Sequence, residues 1–239
     1  MLNRTLDLSG LRSAFDVARR IRIEDALAPE IAEAIAAEMA QLPYWLFCAN
    51  GKGVAVLDPA EVARWAPTRR ADLQRELMAA ASRAEGFTYA GYRMSEAWTK
   101  TTPETALGRF HRQLRSADTL AAIGAITGAN TFDSAFAQAT RYSSGHYLTR
   151  HLDDPSGESR KFAFVWGFTR KWDPDWGGLL QFYDGVGRPT DALSPGFNTL
   201  DLFDVSHVHA VTYVAPFAAG PRLSVSGWFV KGDPLKPMG

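Results

Sequence analysis

The sequence predicts an α+β fold that is mainly β, with a helix-rich supporting part over residues 1–130 and a β-rich core over residues 131–232. After Phe132, short β-prone runs are separated by Gly, Pro and Asp, which is typical of a β-sandwich or a jelly roll. Before it, apolar residues recur at helical spacing. Because no internal repeat or low-complexity linker separates the two parts, we expect one domain over residues 1–239, with the N-terminal helices bracing an outer sheet.

Composition and charge exclude several classes of function. The chain has 239 residues, of which 46% are apolar and 22% charged, as in ordinary globular proteins. Lys and Arg number 26 and are balanced by 26 Asp and Glu, so no nucleic-acid partner and no polybasic membrane contact is expected. A single cysteine, Cys48, excludes an internal disulfide and fits a reducing compartment. We see neither a leader peptide nor an apolar run of about 18 residues, which predicts a cytoplasmic protein without a membrane span.

Helices and strands alternate at the start of the chain. Residues 11–21 carry a short helical pattern, and residues 20–23 alternate like a first strand. Pro29 suits the first turn of a second helix, and the apolar stripe that follows should pack on a sheet. Residues 45–57 are predicted to form a strand, a turn and a strand, because Asn50-Gly51 accepts the positive φ of a tight turn.

The rest of the helix-rich part contains more helices around one strand. Residues 59–85 are rich in Ala, Arg, Glu and Leu and are interrupted at Pro67, which predicts one or two helices, and a short aromatic strand follows over residues 87–94. Thr102 and Pro103 suit the cap and the first position of the next helix. A further helix is predicted to start at Ser116 and to end at Gly128.

The β-rich core contains a pattern of metal ligands. His151 and Asp153 are two residues apart in β-prone sequence, so their side chains share one strand face and can reach one ion. A third ligand is available at His207 or His209. Two histidines and one carboxylate with open positions beside them describe the facial triad of non-haem Fe(II) oxygenases. Asp154 competes with Asp153, but on an extended strand it should face away from His151.

An arginine completes the pattern. Arg222 opens an apolar strand, where a guanidinium needs a buried anionic partner, and its rigid fork fits a carboxylate. Ser224 and Trp228 share its strand face. The spacing to Arg222 and the Ala-Val that follows favour His209 over His207 as the third ligand. The competing interpretation of these histidines is that they are satisfied core residues.

Four segments together resemble the prolyl 4-hydroxylase-like branch of the 2-oxoglutarate/Fe(II)-dependent dioxygenases. They cover roughly residues 132–230 and are Tyr-x-x-Gly-x-x-Leu-x-x-His-x-Asp from Tyr142, Gly-Gly-x-Leu from Gly177, His-x-Val at His209 and Arg-x-Ser-x-x-Gly-Trp-Phe at Arg222. Each segment alone is a weak signal, but their order and spacing make the resemblance specific. It implies a double-stranded β-helix (jelly roll) whose Fe(II) is bound by His151, Asp153 and His209.

The resemblance also implies the cosubstrate and substrate contacts. Arg222 would bind the distal carboxylate of 2-oxoglutarate, with Ser224 and Tyr142 in the same pocket. Some prolyl hydroxylases carry a further tyrosine on the strand that corresponds to residues 162–168, where this chain has Gly167. The expected substrate-pocket residues, each with core packing as its alternative, are Trp228 and Trp172. No catalytic residue beyond the metal centre is expected.

The implied activity is hydroxylation of a C–H bond, with O2 as second cosubstrate, ascorbate as an optional addition, and release of succinate and CO2. The expected partner is a protein or peptide with a target proline, and the alternative is free proline or another small molecule. A different class remains open at this stage, a non-catalytic metal-binding jelly roll of the cupin kind. Arg222 argues against that class, because a mere metal binder has no use for a carboxylate clamp.

Overall fold

The computed structural model describes residues 2–130, 132–153 and 160–232. Within these ranges seven α-helices and twelve strands are found. The helices are α1 (Leu8–Ala18), α2 (Pro29–Met39), α3 (Pro59–Arg64), α4 (Pro67–Ala81), α5 (Met94–Ala97), α6 (Ala106–Leu114) and α7 (Ala117–Thr127). The strands are β1 (Arg20–Ile23), β2 (Trp45–Ala49), β3 (Val54–Leu57), β4 (Phe87–Tyr92), β5 (Ser134–Tyr142), β6 (Tyr147–His151), β7 (Arg160–Phe168), β8 (Leu180–Tyr183), β9 (Pro189–Leu193), β10 (Phe197–Asp204), β11 (His209–Val211) and β12 (Arg222–Val230).

The strands form one curled antiparallel sheet that encloses a cavity. Its order is β1-β10-β7-β12-β5-β4-β6-β11-β8-β9, with the β2-β3 hairpin attached to β4. In this spatial order, the first six strands (β1, β10, β7, β12, β5 and β4) are called the major wall. The last four (β6, β11, β8 and β9) are called the minor wall. The walls are joined where β4 pairs with both β5 and β6. This is the predicted double-stranded β-helix, and it brings residues from distant parts of the chain to one interior.

Helices cover the outer face of the major wall, as predicted. Alternate residues of β7, β10 and β12 point away from the cavity and pack with α1, α2, α6 and α7 in one apolar core. Phe110 of α6, for example, meets Trp166 of β7 edge to face, with ring centroids 5.3 Å apart. None of the helices in the described part of the chain is long and apolar enough to cross a membrane.

Three helices differ from the sequence prediction. The helix expected to start at Thr102 begins at Ala106, because Thr105 rather than Thr102 caps it by accepting a hydrogen bond from the backbone N–H of Gly108. The short helix α5 was not predicted at all. The first helix begins earlier than expected, at Leu8, because the carboxylate of Asp7 caps its first turn.

Candidate active site

His151, Asp153 and His209 converge at one end of the cavity. The pairing of β6 with β11 sets the two histidines opposite each other, and Asp153 follows β6 by two residues. Asp153 Oδ1 lies 3.3 Å from His151 Nε2, and Asp153 Oδ2 lies 3.5 Å from His209 Nε2. One ligand atom from each residue lies within 4.8 Å of the others. Ligands at right angles on an ion with bonds of about 2.1 Å are about 3 Å apart, so this spacing suits a metal ion.

Hydrogen bonds orient both imidazoles towards that point. His151 Nδ1 lies 3.0 Å from the carbonyl oxygen of Thr149, and His209 Nδ1 lies 3.0 Å from that of His207. A carbonyl oxygen only accepts hydrogen bonds, so each Nδ1 carries the proton and donates it. Each Nε2 then keeps a free lone pair that faces Asp153. This is the arrangement found around metal-bound histidines, in which the second ring nitrogen donates to a fixed acceptor.

The ionisation states also fit a metal ion. Burial lowers the pKa of His209 to about 4, despite the opposing effect of the Asp153 charge, so the imidazole is neutral at pH 7. Burial on its own would raise the pKa of Asp153, but its interactions with His151 and His209 bring it below its usual value. Neutral imidazoles and an ionised carboxylate are the forms that bind metals.

The triad opens into a cavity of about 80 Å³ that both walls line. Arg222, Ser224 and Trp228 all face it from β12, because alternate residues of a strand point to the same side. Tyr142 lines it from β5. The structure therefore brings together seven of the eight residues predicted for the site; they are His151, Asp153, His209, Arg222, Ser224, Tyr142 and Trp228.

Arg222 is buried without a carboxylate partner among the described residues. Its side chain is 4% exposed, and its Nη1 donates to the carbonyl oxygen of Gly178 at 3.0 Å. Burial lowers the pKa of Arg222 from its ordinary value, with Tyr142 and Asp201 acting in the opposite direction, and an arginine remains charged at neutral pH. A buried cation is costly unless it is paired, so this guanidinium is suited to an anionic ligand.

The Gly177-Gly178 pair explains how that carbonyl reaches Arg222. Both glycines have positive φ, +69° and +64°. A Cβ atom on Gly177 would lie only 2.0 Å from the carbonyl oxygen of Tyr213, so a side chain there cannot be accommodated. Glycine at residue 177 therefore permits two backbone segments to approach each other closely at this turn.

The two tryptophans predicted for the substrate pocket lie in different places. Trp228 lines the cavity, and the guanidinium carbon of Arg160 lies 3.9 Å from the centroid of its ring. Trp172 is not among the lining residues; its indole N–H donates to the carbonyl oxygen of Gly177 at 2.8 Å. A Cβ atom on Gly178 would lie 2.9 Å from the Trp172 ring. Trp172 thus packs against the glycine turn and stabilises it instead of facing the cavity.

His207, the alternative to His209 as third ligand, does not point at the triad. His207 precedes β11 in a turn, and its Nε2 lies 3.0 Å from the carbonyl oxygen of Ala18, so its ring belongs to another contact. His207 does not share a strand face with His209, since β11 begins only at His209. His207 nevertheless supports the site through its backbone carbonyl, which accepts from His209. Asp154 lies outside the described residues.

Sequence reasoning missed several residues of the cavity because they come from strands far apart in sequence. Tyr89 of β4 lines it and stacks on Tyr142, with ring centroids 5.3 Å apart. Thr140 of β5 lies with its Oγ1 2.8 Å from Ser224 Oγ. Gln138 lines the cavity next to Ser226 in the β5–β12 pairing. Alternation within each strand is the available signal, but it needs the pairing register to become informative.

Known proteins match the region that contains the site. Residues 137–230 match the model of the 2OG-Fe(II) oxygenase superfamily. Prolyl 3-hydroxylase OGFOD1 of Mus musculus is 31% identical over 133 residues, which are 53% of this chain and 24% of the mouse protein. This chain therefore spans about a quarter of the length of that curated relative.

Solved structures share the fold. A prolyl-4-hydroxylase of Pseudomonas putida superposes with a TM-score of 0.60 at 17% identity, over 95% of this chain and 100% of that chain. A prolyl hydroxylase of Trichoplax adhaerens, in complex with a peptide fragment of the hypoxia inducible factor oxygen degradation domain, superposes with a TM-score of 0.62 at 16% identity. The match covers 94% of this chain and 89% of that chain. The region that contains the His-Asp-His cluster thus matches the 2OG-Fe(II) oxygenase superfamily, and the fold is the one that these prolyl hydroxylase structures share.

Proposed function

We propose that the protein hydroxylates a C–H bond of a prolyl residue in a protein, using Fe(II), 2-oxoglutarate and O2 and releasing succinate and CO2. One observation carries this proposal. A three-ligand metal site and a buried arginine without a carboxylate partner among the described residues line the same cavity. A metal-binding scaffold of the cupin kind needs the first feature but has no use for the second.

In this proposal His151, Asp153 and His209 hold the metal. The three groups would offer the ion two nitrogen lone pairs and one carboxylate, and open positions would remain for cosubstrate and O2. Iron, when bound, supplies the activation of O2 and the oxidation of the target C–H bond. The protein fixes the ligand set, and the carbonyl groups of Thr149 and His207 hold the two imidazole rings in place.

Arg222 binds the distal carboxylate of 2-oxoglutarate in this proposal. Its fork of N–H donors can form two parallel hydrogen bonds with a carboxylate, and the low-polarity surroundings strengthen them. Ser224 and Tyr142, which line the same part of the cavity, are its proposed neighbours at the cosubstrate. The carbonyl of Gly178 restrains the guanidinium before the ligand arrives, which lowers the cost of ordering it.

The substrate assignment rests on the shape of the cavity and on the relatives. Trp228 and Tyr89 give the cavity aromatic walls. A prolyl ring is apolar and rigid, so it suits such walls and loses little conformational entropy when it is held. The mouse relative is named a prolyl 3-hydroxylase, and the Trichoplax adhaerens prolyl hydroxylase is in complex with a peptide fragment of the hypoxia inducible factor oxygen degradation domain. A prolyl residue in a polypeptide is the substrate class that these observations favour.

The test is product formation by the iron-loaded protein with 2-oxoglutarate, O2 and ascorbate. Proline-containing peptides, the same peptides with Ala in place of Pro, and free L-proline are supplied separately. The proposal predicts succinate release coupled to a mass gain of one oxygen atom on the proline-containing peptides only. Product on free proline alone would replace the protein substrate by a small molecule. Absence of succinate and product under all three conditions, in protein shown to bind iron, would contradict the proposal.

A further inference from the structure

A buried hydroxyl beside Arg222 has no hydrogen-bond partner in the described ranges of the chain. Thr199 of β10 is 2% exposed, and its Oγ1 is completely enclosed without a donor or acceptor at hydrogen-bond distance among the described residues. A buried hydroxyl that lacks a partner destabilises a protein, and such groups are rare in native structures. Thr199 and Arg222 line the same small cavity of about 10 Å³, which adjoins the main one at Val165, Arg222 and Ser224.

Strand register explains why this hydroxyl faces the interior. Ser224 of β12 pairs with Gly167 of β7, and Gly167 pairs in turn with Thr199. The three residues form one row on the inner face of the major wall. A Cβ atom on Gly167 would lie 2.4 Å from Thr199 Oγ1, so the hydroxyl occupies space that any side chain at residue 167 would need. The glycine in the middle of the row therefore makes room for Thr199.

Neighbouring polar groups are already engaged. Asp201, two residues further along β10, accepts from Arg22 with both oxygens, at 2.7 and 2.8 Å. Ser224 Oγ is 2.8 Å from Thr140 Oγ1. The Asp201 carboxylate is thus neutralised by Arg22, and the positive charge of Arg222 is left for a ligand. Within the described part of the chain, one cation without a carboxylate partner and one hydroxyl without a hydrogen-bond partner face the same small space.

We propose that the Thr199 hydroxyl donates a hydrogen bond to the distal carboxylate of 2-oxoglutarate, directly or through one water molecule, alongside Arg222. This inference rests on the proposed function, since it concerns the same cosubstrate. A carboxylate offers more acceptor positions than one guanidinium fills, so a further donor can be accommodated. At residue 167, where some relatives are expected to have a tyrosine, this chain has glycine, and Thr199 supplies a hydroxyl instead.

Loss of this hydroxyl should have opposite effects on the ligand-free protein and on its complex with 2-oxoglutarate. Valine has the shape of threonine without the polar atom. In the ligand-free protein Thr199→Val removes an unsatisfied buried group, so the midpoint of thermal unfolding should rise or stay unchanged. In the complex it removes a hydrogen bond to a charged group, so 2-oxoglutarate should bind roughly 10-fold or more weakly.

The experiment measures the Kd of 2-oxoglutarate by calorimetry with Mn(II) as a redox-inactive substitute for Fe(II), together with thermal unfolding without ligand. Thr199→Val should weaken 2-oxoglutarate binding without lowering the unfolding midpoint or the affinity for Mn(II). Thr199→Ser should restore tight binding, because the hydroxyl is retained. Thr127→Val is the matched control: Thr127 is buried, its Oγ1 donates to the Ile123 carbonyl at 2.8 Å, and it lies in α7, so its loss should affect stability but not 2-oxoglutarate.

The outcomes separate the inference from the proposed function. If the unmodified protein with Mn(II) fails to bind 2-oxoglutarate, the proposed function is wrong, and the inference with it. If it binds and Thr199→Val binds equally well, the inference alone is overturned. Weaker binding by Thr199→Val that Thr199→Ser does not restore would also overturn it, because the cause would then be packing rather than the hydroxyl.

Discussion

The two faces of the major wall carry the same strands but opposite chemistry. On β7, β10 and β12 the outward residues are large and apolar, and several are completely buried under the helices, among them Phe164, Trp166, Leu200 and Phe229. The inward residues of these strands include Gly167, Thr199, Asp201, Arg222 and Ser224. Since the outward set fills the core, the inward set is free to leave a cavity and to carry charge. Substitutions on the two faces should therefore differ in kind: outward ones should change stability, and inward ones should change binding.

The largest effect is expected from the metal ligands. Asp153→Ala removes the carboxylate of the proposed triad, so turnover of 2-oxoglutarate should fall to background while circular dichroism remains native. The physical reason is that Asp153 lines a cavity and contributes no packing to the apolar core. His207→Ala is the matched control, because its ring contacts Ala18 instead of the triad, and it should retain most of the activity. Full turnover by Asp153→Ala would show that the metal is bound elsewhere.

Arg222 should have the next largest effect. Truncation of one partner in a buried charged pair costs about 2–5 kcal/mol, which corresponds to roughly 30-fold to several thousand-fold in affinity. We therefore expect Arg222→Ala to raise the 2-oxoglutarate concentration for half-maximal succinate release by about two orders of magnitude or more. Iron binding should be unchanged. Arg222→Lys keeps the charge but loses the forked pair of N–H donors. Its 2-oxoglutarate requirement should therefore lie between those of the unmodified protein and Arg222→Ala. An unchanged 2-oxoglutarate requirement would move the carboxylate site away from Arg222.

The outward face supplies the converse test. Phe164 is completely buried in the apolar core, with its ring centroid 5.0 Å from that of Phe229. Phe164→Ala should lower the free energy of unfolding by about 3–5 kcal/mol, measured by urea denaturation. Ser226→Ala on the inward face of β12 should change it by less than about 0.5 kcal/mol. The contrast between the faces fails if Ser226→Ala is as destabilising as Phe164→Ala.

A smaller effect is expected from a histidine far from the cavity. Burial, followed by the positive charges of Arg115 and Arg112, lowers the pKa of His111 to about 4 in the folded protein. In the unfolded chain its pKa is about 6.5, so the unfolded state binds more protons between these values. Stability should fall as the pH decreases from about 6.5 to 4, by up to about 3 kcal/mol from this group, and then level off.

Replacement of His111 by a group that does not titrate isolates this contribution. His111→Gln should show a weaker decrease of the free energy of unfolding over the same pH window. His209 has a similarly low pKa and remains in both proteins, so its contribution cancels in the difference. Parallel stability curves for the two proteins would show that His111 is not the titrating group.

Much of the site follows from the sequence because its residues lie close together along the chain or on one strand. The spacing of His151 and Asp153 indicates a shared ion, and alternation along β12 indicates that Arg222 and Ser224 share a face. The structure confirms that these residues line one cavity. Helix positions were predicted well where a capping residue marks the start, as at Ser116, and poorly where two threonines compete, as at Thr102 and Thr105.

The remainder depends on contacts between distant segments. Arg22 reaches Asp201 across 179 residues of sequence, and this pairing leaves Arg222 without a carboxylate partner in the part of the chain that the structure describes. Neither residue carries a local signal of its role. Trp172 illustrates the reverse case: the resemblance implies a substrate contact, with core packing as its alternative, and the structure places it against the Gly177 turn and not in the lining of the cavity. Strand register and tertiary packing determine which of these side chains meet, and neither can be deduced from a single sequence.

The central claim is that a metal ion and 2-oxoglutarate bind side by side in the cavity between the two walls. Its most direct test is calorimetric titration of 2-oxoglutarate into the anaerobic protein, with and without Fe(II). The account predicts that Fe(II) tightens the binding of 2-oxoglutarate in the unmodified protein, because the ligand contacts both the metal and Arg222, and that the gain disappears in Asp153→Ala. Equal affinity with and without Fe(II) in the unmodified protein would contradict the claim.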